Sequence, residues 1–408
     1  MGTGIIRPMN ETRSSGVSGT NLEHAKKHNR RVVIETVRLH GSLPRAEIAR
    51  LTSLTPQTVS NIVSELQDAG FLTAQDRLRG GRGQPATPMS INPDGAYSIG
   101  LQLDQRVLIA VAVDLSGRVR ARAEAKVDRP TPEQALPLMA QLVRQLRDSA
   151  AIDWRRVLGA GLAMPGPFGA EAAQAFGADT LPGWEDPAIV ERIAGELGLP
   201  VLLENDANAS AIGERLYGVA RNLRSFVYMF IGIGLGAGIF LDGRLYKGNS
   251  GNAGEIGHMI VVPGGRQCTC SNQGCLERYL SLRAAYEALA IDDLDRARPE
   301  LLTSPSAADA PRVEAWIESV VDPLRRAVNI LESVLDTEAV IIGGFLPTPL
   351  IERLAARLDP LPAAVGVQPG RTARVLIGTA GHDTTALGAA ALPIFDEFNP
   401  QYDVLLKG

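Results

Sequence analysis

The sequence predicts an α/β protein in two parts, a small helical N-terminal head (residues 21–92) and a larger body (residues 93–408) of two similar lobes. Three observations support this architecture. An amphipathic helix in the head is followed by two short strands, two similar apolar hairpins lie about 130 residues apart in the body, and the net charge changes sign between the two parts. At 408 residues the chain is too long for one ordinary core.

The composition is that of a globular protein, with 45% hydrophobic and 21% charged residues. No apolar run reaches the roughly 18 residues of a membrane span, and the N-terminus lacks the apolar segment of a signal peptide. We therefore expect a cytoplasmic protein with no membrane association. Residues 1–20 are rich in Gly, Ser and Thr without periodicity, and we expect a disordered tail there.

Charge is divided unevenly along the chain. Residues 1–92 carry 12 Lys and Arg against 7 Asp and Glu, a net charge of +5, so the remaining residues carry −9 and bring the total to −4. A basic head on an acidic body is typical of a protein whose head meets phosphates and whose body does not. A chance fluctuation would give the same numbers.

The pattern of the head predicts three helices. The first runs from Asn21 to His40 and stops at Gly41. The second runs from Leu43 to Thr52, and its periodicity predicts burial of Ala46, Ile48 and Leu51. A tight turn at residues 53–54 then leads into a third helix, so the pair has the spacing of a helix-turn-helix.

The third helix is the clearest element of the head. Thr55 is a favourable N-cap, Pro56 fits the first helical position, and Gly70 ends the helix. The apolar positions follow the helical repeat, at Val59, Ile62, Val63 and Leu66. The opposite face carries short uncharged groups suited to base edges in a DNA major groove, among them Gln57, Thr58, Ser60 and Asn61. An ordinary solvated surface would have a similar composition.

Two strands, residues 71–73 and 88–91, are expected to form a wing after the third helix. The segment between them is rich in glycine and carries Arg77, Arg79 and Arg82. Arginines on such a loop can enter a minor groove or contact backbone phosphates. The head therefore has the pattern of a winged helix-turn-helix that binds double-stranded DNA.

The body begins with an apolar stretch, residues 97–113, that leads through an Asp-Leu-Ser-Gly turn to another strand. A stretch of the same style, residues 226–241, leads through Asp-Gly to a further strand. This repetition predicts two related lobes, about 93–215 and 216–390, with the C-terminal segment returning to them. A cleft between two lobes is a natural ligand site.

Six motifs of the body and the wing occur in an order that resembles the ROK family, which groups repressors, open reading frames and sugar kinases. They are GRGQP (81–85), PGP (165–167), LPGW (181–184), END (204–206), GEIGH (254–258) and CxCxxxxCLE (268–277). The resemblance covers about residues 25–392. It implies a winged helix-turn-helix on an actin-like, ribonuclease-H-type sugar kinase fold, as in repressors that respond to glucose, xylose or N-acetylglucosamine.

The three cysteines of the chain lie within eight residues of one another, ten positions after a histidine. One imidazole and three thiolates suit a tetrahedral, structural Zn²⁺ site, for which the candidate ligands are His258, Cys268, Cys270 and Cys275. The alternative is a chance cluster of free thiols. The family's usual CxCG motif is broken at Ser271, which leaves the spacing of the ligands unchanged and concerns the loop conformation only.

A sugar site is expected where an apolar strand ends at residues 205–206, just before a helix, because ligands of α/β folds lie beyond the carboxyl ends of strands. An alternative role for Asp206 is to cap that helix. The family resemblance assigns sugar contacts to Asn205, Asp206, Glu255, His258 and Glu277. It also implies that Asp206 would be the base in an active kinase. Asn252 and Gly166 are weaker candidates.

The first hairpin departs from the family's kinases. Where they carry Asp-x-Gly-Gly-Thr, this chain has Gln102-Leu103-Asp104-Gln105-Arg106, which lacks both glycines and the first acid and adds a negative charge near the expected ATP phosphates. The second lobe keeps a glycine-rich segment at residues 232–238, with Ile233 where a hydroxyl residue is usual, and Gly343-Gly344 resembles the adenosine-side turn. We therefore expect no catalytic residues and a ligand-sensing domain.

The sequence predicts a sugar-responsive regulator, a repressor of carbohydrate genes, that binds operator DNA as a homodimer or homotetramer. An active ATP-dependent sugar kinase with a DNA-binding head is the alternative. A scaffold whose head binds protein instead of DNA is a third interpretation.

Overall fold

The computed structural model describes residues 22–76, 87–149, 151–166, 181–293, 297–363, 373–379 and 383–400. The helices are α1 (Leu22–His40), α2 (Arg45–Thr52), α3 (Pro56–Asp68), α4 (Pro132–Ser149), α5 (Ile189–Leu197), α6 (Asp206–Tyr217), α7 (Leu282–Ala288), α8 (Pro299–Thr303), α9 (Ala310–Leu335), α10 (Thr348–Ala355) and α11 (Thr384–Phe398).

The strands form three sheets. They are β1 (Leu43–Pro44), β2 (Leu72–Ala74), β3 (Pro88–Ile91), β4 (Tyr97–Leu103), β5 (Val107–Asp114), β6 (Val119–Lys126), β7 (Val157–Met164), β8 (Val201–Asn205), β9 (Phe226–Ile231), β10 (Leu235–Leu241), β11 (Arg244–Leu245), β12 (Ala339–Gly344) and β13 (Val375–Ile377). The sheet orders are β1-β3-β2 in the head, and β6-β5-β4-β7-β8 and β11-β10-β9-β12-β13 in the body.

The head is a winged helix-turn-helix, as predicted. In α3 the hydroxyl of Thr55 accepts a hydrogen bond from the backbone N–H of Thr58, and the four predicted apolar residues are buried. The helix ends at Asp68, and Gly70 adopts a left-handed φ of 82°, which lets the N–H of Phe71 reach the carbonyl of Leu66. Strands β2 and β3 pair antiparallel and form the wing.

Two details of the second helix differ from the prediction. Leu43 and Pro44 are not helical: they pair with Met89 and Pro88 of β3, so the helix begins at Arg45. In α2, Ile48 is buried as predicted together with Ala49, whereas Ala46 is exposed and Leu51 is 37% exposed. Pairing with the wing sets where α2 begins and which of its faces turns inward, and the local periodicity does not contain that information.

The two body sheets have the same topology. In each, three antiparallel strands are followed by two parallel ones, so β4 and β9, the first strands of their lobes, occupy the centre. The predicted apolar stretches are hairpins: residues 97–113 turn at 104–106, and residues 226–241 turn at 232–234. The predicted duplication and the two-lobed α/β class are therefore confirmed.

Helix α11 packs closely against the first lobe through small residues. A side chain at Gly161 of β7 would approach the carbonyl oxygen of Ala389 to 2.0 Å, and one at Gly388 would approach that of Ala209 in α6 to 2.2 Å. Side chains at these positions would push α11 away from the sheet and from α6. The C-terminal helix thus returns to the body, as expected, and fixes the position of α6.

The head and the body share one hydrophobic cluster. Val33 and Val37 of α1 belong to the same buried set as Ala211 of α6 and Ile394 of α11, and the rings of Phe71 and Phe398 meet edge to face with centroids 5.0 Å apart. Polar contacts surround this cluster. Arg31 donates to the carbonyls of residues 396 and 397 at the end of α11. The head is therefore packed on α6 and α11.

Candidate functional site

A cavity of about 480 Å³ is lined by residues of both lobes. The five predicted sugar contacts, Asn205, Asp206, Glu255, His258 and Glu277, all line it. They come from separate parts of the chain: the junction of β8 and α6, and two short 3₁₀ turns at residues 256–258 and 276–278. The volume of the cavity falls within the range of roughly 300–1,000 Å³ that is typical of small-molecule sites.

The junction of β8 and α6 distinguishes the roles of two neighbouring residues. Asn205 is the N-cap of α6, because its side-chain oxygen accepts a hydrogen bond of 2.7 Å from the N–H of Asn208. Asp206 accepts from the N–H of Ala207 at 2.8 Å through one carboxylate oxygen. The alternative role of Asp206 as the helix cap is therefore wrong, since Asn205 fills it, and the Asp206 carboxyl group lines the cavity.

Burial and neighbouring acids shift the ionisation of the cavity carboxyl groups. The pKa of Asp206 is raised to about 7, mainly by burial and also by the charges of Glu255 and Asp104, while the hydrogen bond from Ala207 opposes the shift. Burial likewise raises the pKa of Glu255, and Glu277 adds to the effect while His258 opposes it. Burial and the mutual repulsion of these carboxyl groups therefore favour the protonated forms of Asp206 and Glu255.

Glu277 connects the predicted sugar contacts to the glycine-rich turn of the second lobe. One of its carboxylate oxygens accepts a hydrogen bond of 3.0 Å from the N–H of Leu235. A side chain at Gly234 would come within 2.6 Å of the same oxygen. In this chain the absence of a side chain at Gly234 thus leaves room for Glu277.

The first hairpin does not form an open phosphate cradle. One carboxylate oxygen of Asp104 accepts hydrogen bonds from the N–H groups of Arg106 and Val107, at 2.6 and 2.8 Å, and closes its own turn. Burial raises the pKa of Asp104 against these two hydrogen bonds. These backbone donors are therefore already engaged by the protein.

Gln102 is a feature of the cavity that sequence reasoning did not include among the binding residues. Its side chain is 2% exposed on β4 and lines the cavity, and its amide oxygen has no hydrogen-bond partner among the described residues. A buried, unsatisfied acceptor costs about 1–3 kcal/mol, so such a group points to a ligand or solvent partner. A lone amide in the apolar strand Tyr97–Leu103 is the sequence signal for it.

Of the two weaker candidates for sugar contacts, only one lines the cavity. Gly166 lines the cavity, and a side chain there would approach the Cβ of Asn205 to 3.2 Å. Asn252 is exposed and is not among the residues that line the cavity. Trp184 of the LPGW motif is buried and donates a hydrogen bond to the carbonyl of Pro130, so it supports the core of the first lobe.

The four predicted metal ligands lie together, with their ligand atoms all within 4.8 Å of one another. Sγ of Cys268 is 3.6 Å from Nδ1 of His258, and the sulfurs of Cys270 and Cys275 are 3.6 Å apart. Bonds of about 2.3 Å to sulfur and about 2.0 Å to nitrogen place neighbouring ligands of tetrahedral zinc about 3.5–3.8 Å apart. The donor set and these two distances fit Zn²⁺.

The loop that carries the cysteines keeps a glycine-like conformation at Ser271. This residue has a φ of 71°, and its N–H donates to the carbonyl of Cys268. A left-handed φ is the conformation that favours glycine. The departure from the family's CxCG motif therefore leaves the turn intact.

The predicted DNA-contacting residues of α3 lie on its outer face. Gln57 donates to the side chain of Asn61 at 3.0 Å, and Thr58 contacts Thr55. Ser60 accepts a hydrogen bond of 2.9 Å from Arg45, a cation at the start of α2 that sequence reasoning did not include. The wing arginines Arg77, Arg79 and Arg82 lie outside the described residues. Contact of these seven residues with DNA stays a prediction.

Helices long and apolar enough to cross a membrane are absent from the described part of the chain. The fold and the cavity together define a two-lobed, actin-like α/β protein with an N-terminal winged helix-turn-helix. The sequence model of the ROK family matches residues 99–394, and the chain belongs to this family.

Two relatives named as regulators are similar over most of the chain. The xylose repressor of Bacillus subtilis is 24% identical over 375 residues, which are 91% of this chain and 96% of that protein. The DNA-binding transcriptional dual regulator NagC of Escherichia coli is 25% identical over 339 residues, 81% of each chain.

Solved structures include regulators and kinases. A ROK family transcriptional regulator described as a homolog of the E. coli MLC protein aligns with a TM-score of 0.71 and 24% identity over 94% of this chain and all of that one. A ROK hexokinase from Thermus thermophilus aligns with a TM-score of 0.57 and 25% identity over 74% of this chain and 99% of that one. The family thus joins both classes of protein on one fold.

Proposed function

We propose that this chain is a sugar-responsive transcriptional repressor of carbohydrate genes. The head would bind operator DNA and the cavity would bind a sugar that changes the affinity for DNA. The similar proteins named as repressors support this proposal. A regulator of this kind works where the chromosome lies, in agreement with the cytoplasmic location expected from the sequence.

One observation carries the proposal: a single helix joins the cavity to the head. Helix α6 begins at Asp206 in the cavity, and its last turn contacts α1 of the head. Arg215 donates to the Glu35 carboxylate at 3.2 Å, and the carbonyl of Leu216 accepts a hydrogen bond from Arg38. A ligand that moves the start of α6 therefore moves the surface on which the head rests.

The amount of energy required for such a relay is modest. Coupling between two sites is typically about 1–3 kcal/mol, a factor of roughly 5–150 in affinity. Closure of the two lobes on a sugar would supply this coupling energy if the contact between α6 and α1 differs between the open and the closed state. Because the head and the body share one hydrophobic cluster, a displacement of α6 would not be absorbed by a flexible linker.

We propose that Zn²⁺ is bound by His258, Cys268, Cys270 and Cys275. A metal with four protein ligands has no open position for substrate, so its contribution is to hold the loop rather than to activate water. With Nδ1 of His258 towards the sulfurs, the Nε2 atom is the nitrogen through which His258 would contact a sugar. The same loop leads to Glu277, so zinc would fix two of the five sugar contacts.

The sugar itself would be held by carboxylates and amides. We propose that Asn205, Asp206, Glu255, His258 and Glu277 contact its hydroxyl groups. In the ionised state Asp206 would accept a hydrogen bond from a hydroxyl, the contact that in a kinase precedes proton removal.

We propose that the chain does not catalyse phosphoryl transfer. Asp104 takes up the backbone donors of the first hairpin, and the acidic cavity opposes the binding of triphosphate. An active kinase remains the second candidate because a carboxyl group with a pKa of about 7, as in Asp206, suits a general base. A coupled assay with ATP, Mg²⁺ and a sugar panel separates the two, since turnover abolished by Asp206→Asn would establish the kinase.

Operator binding would use the outer face of α3 and the wing. We propose base or phosphate contacts by Gln57, Thr58, Ser60 and Asn61, and phosphate or minor-groove contacts by Arg77, Arg79 and Arg82. Each chain supplies one recognition helix, so a homodimer or homotetramer on a palindromic operator is expected.

The decisive experiment is a fluorescence anisotropy titration of the DNA upstream of the gene with the purified chain, at several salt concentrations and with each sugar of the panel. We expect binding that weakens steeply with salt and that one sugar changes by about fivefold or more. Absence of DNA binding, or binding insensitive to salt, would favour the scaffold interpretation. DNA binding that no sugar changes would contradict the sensing role.

A further inference from the structure

The five residues proposed to contact the sugar are divided between the two lobes. Asn205 and Asp206 follow β8 of the first lobe, whereas Glu255, His258 and Glu277 belong to the second lobe. A ligand can contact both groups only when the lobes lie at one particular separation. A contact that bridges the lobes beside the cavity would therefore control how well the two groups are placed for binding.

An ion pair between Glu204 and Lys247 makes such a bridge. Glu204 lies in β8 of the first-lobe sheet, directly before Asn205, and Lys247 follows β11 of the second-lobe sheet by two residues. Nζ of Lys247 is 2.5 Å from Oε2 of Glu204, and the two side chains are 28% and 6% exposed. Because water is largely excluded from Glu204, separation of the pair would leave a buried carboxylate without its cation.

The other oxygen of Glu204 holds the first group of sugar contacts. Oε1 accepts hydrogen bonds from the N–H of Asn205 at 3.1 Å and from the side-chain amide of Asn208 at 3.0 Å. Asn208 is also the residue whose N–H is capped by Asn205. One carboxylate oxygen thus fixes the junction of β8 and α6, and the other reaches across to the second lobe.

Lys247 is connected in a similar way to Glu255 of the second group. The carbonyl of Lys247 accepts a hydrogen bond of 3.1 Å from the N–H of Ala253, which closes the loop between them. Gly254 follows with a left-handed φ of 106°, and its carbonyl accepts from the N–H of Ala237 in β10 at 2.8 Å. A side chain at Gly254 would approach the carbonyl oxygen of Ala237 to 2.0 Å. Glu255 therefore leaves a loop that is fixed on β10 and that begins at the interlobe cation.

We propose that Lys247 is a positioning residue, whose ion pair with Glu204 holds the two groups of sugar contacts at the separation that a ligand requires. Neither residue is among the described residues that line the cavity, so their effect on binding acts through Asn205 and Glu255. The inference rests on the proposed function, because it takes this cavity to be the sugar site. Loss of the pair lowers the fraction of molecules in the binding arrangement, and the apparent affinity falls by the same factor.

The first test is calorimetry of the full-length chain with the sugar that binds the wild type. Lys247→Gln removes the charge at nearly constant length and should weaken sugar binding by about tenfold, within the range of roughly 2- to 150-fold found for coupled pairs. Lys26→Gln is the matched control. It removes a Lys–Glu pair of 2.8 Å within the head, in which the lysine is 64% exposed, and should leave sugar affinity unchanged. Unchanged affinity in Lys247→Gln would overturn the inference.

A double-mutant cycle tests whether the two residues act through each other. Glu204→Gln removes the charge but keeps an oxygen for Asn205 and Asn208, and alone it should weaken sugar binding to a similar extent as Lys247→Gln. The double variant should bind about as well as either single variant, because the ion pair can be lost only once. Losses that multiply, to about a hundredfold, would show that the residues act separately and would contradict the role of the pair.

Hydrogen exchange without sugar tests the interlobe contact independently of sugar binding. In Lys247→Gln, exchange should become faster in residues 201–206 and 247–255, on both sides of the cleft, and should stay unchanged in α1 of the head. Unchanged exchange in these two segments, or an equal increase throughout the chain, would overturn the inference. If no sugar binds the wild type, the proposed function fails, whereas the exchange result still shows whether the pair holds the two lobes together.

Discussion

Arg38 is the residue through which the head holds the last turn of α6. Its guanidinium donates to both carboxylate oxygens of Glu35, at 2.7 and 2.8 Å, and to the carbonyl of Leu216. The side chains of Arg38 and Glu35 are only 13% and 12% exposed. The substitution Arg38→Ala therefore removes a buried bidentate pair and a contact between the head and the body.

The loss of stability in Arg38→Ala depends on which partners Glu35 keeps after the substitution. Loss of the only partner of a buried charge costs about 3–5 kcal/mol, but Glu35 keeps Arg215 at 3.2 Å. We therefore expect the free energy of unfolding to fall by about 2–3 kcal/mol. Arg50→Ala removes a pair of the same spacing, to Glu47, but the side chain of Arg50 is 68% exposed, so the free energy of unfolding should change far less.

The stability difference should depend on pH in one direction. Burial opposes ionisation of Glu35, but the hydrogen bonds and charges of Arg38 and Arg215 outweigh it and hold the pKa of this carboxyl below its usual range. A carboxyl group whose pKa is lower in the folded than in the unfolded protein stabilises the fold. This contribution is complete above the unfolded pKa of about 4.3 and is lost as the pH falls through the folded pKa. The difference in the free energy of unfolding between Arg38→Ala and the wild type should therefore be constant near neutral pH and become smaller only at acidic pH.

The assay that tests the relay is DNA anisotropy with and without the effective sugar. In Arg38→Ala the sugar should still bind the cavity, but the ratio of the two DNA affinities should fall from about 5–150 towards one. In Arg50→Ala the ratio should be unchanged. A direct effect of a substitution on DNA binding alters the affinities with and without sugar equally, so it does not change their ratio. A folded Arg38→Ala protein with an unchanged ratio would refute the role of this contact in the relay.

Four further predictions concern the metal, the sugar and the DNA. Cys268→Ser should release zinc, measured as metal per chain, and abolish the sugar response while the head still binds DNA; metal loss with unchanged sugar affinity would separate the two sites. Sugar affinity should rise between about pH 6 and pH 8 as Asp206, with its pKa of about 7, ionises, and Asp206→Asn should flatten this profile in calorimetry. Gln102→Leu should weaken sugar binding by about tenfold without loss of thermal stability, because its amide oxygen is unpaired in the protein; reduced stability would indicate a structural role. Arg82→Ala should reduce the slope of log affinity against log salt by about 0.9, and an unchanged slope would exclude a phosphate contact.

Local patterns predicted much of this architecture because the interactions behind them are short in sequence. The cap at Thr55 and the spacing of Val59 to Leu66 are satisfied within two or three helical turns, and the structure reproduces them. The metal cluster is similar, since its ligands occur within one short segment, residues 258–275, and can meet without help from the rest of the fold. Repetition of the hairpin pattern was sufficient to predict two lobes because each lobe repeats the same strand order.

Other features depended on partners far away in the chain. Leu51 has the helical spacing of a core residue, yet pairing of β1 with the wing turns it outward. Asp206 and Asn205 are both good caps by residue type, and the geometry at the end of β8 gave the cap to Asn205. The acceptor on Gln102 became notable only when its burial against the cavity was known.

The sequence by itself determined the class of the head, the two related lobes, the cluster of one histidine and three cysteines, and the set of polar residues around the cavity. Each of these is encoded in local spacing or in the order of motifs. Only the tertiary structure decided that α6 runs from the cavity to Arg38 and that α11 fixes it there. These contacts join residues far apart in the sequence, such as Arg38 and Leu216, 178 positions apart, and depend on how packed elements meet rather than on any periodicity within them.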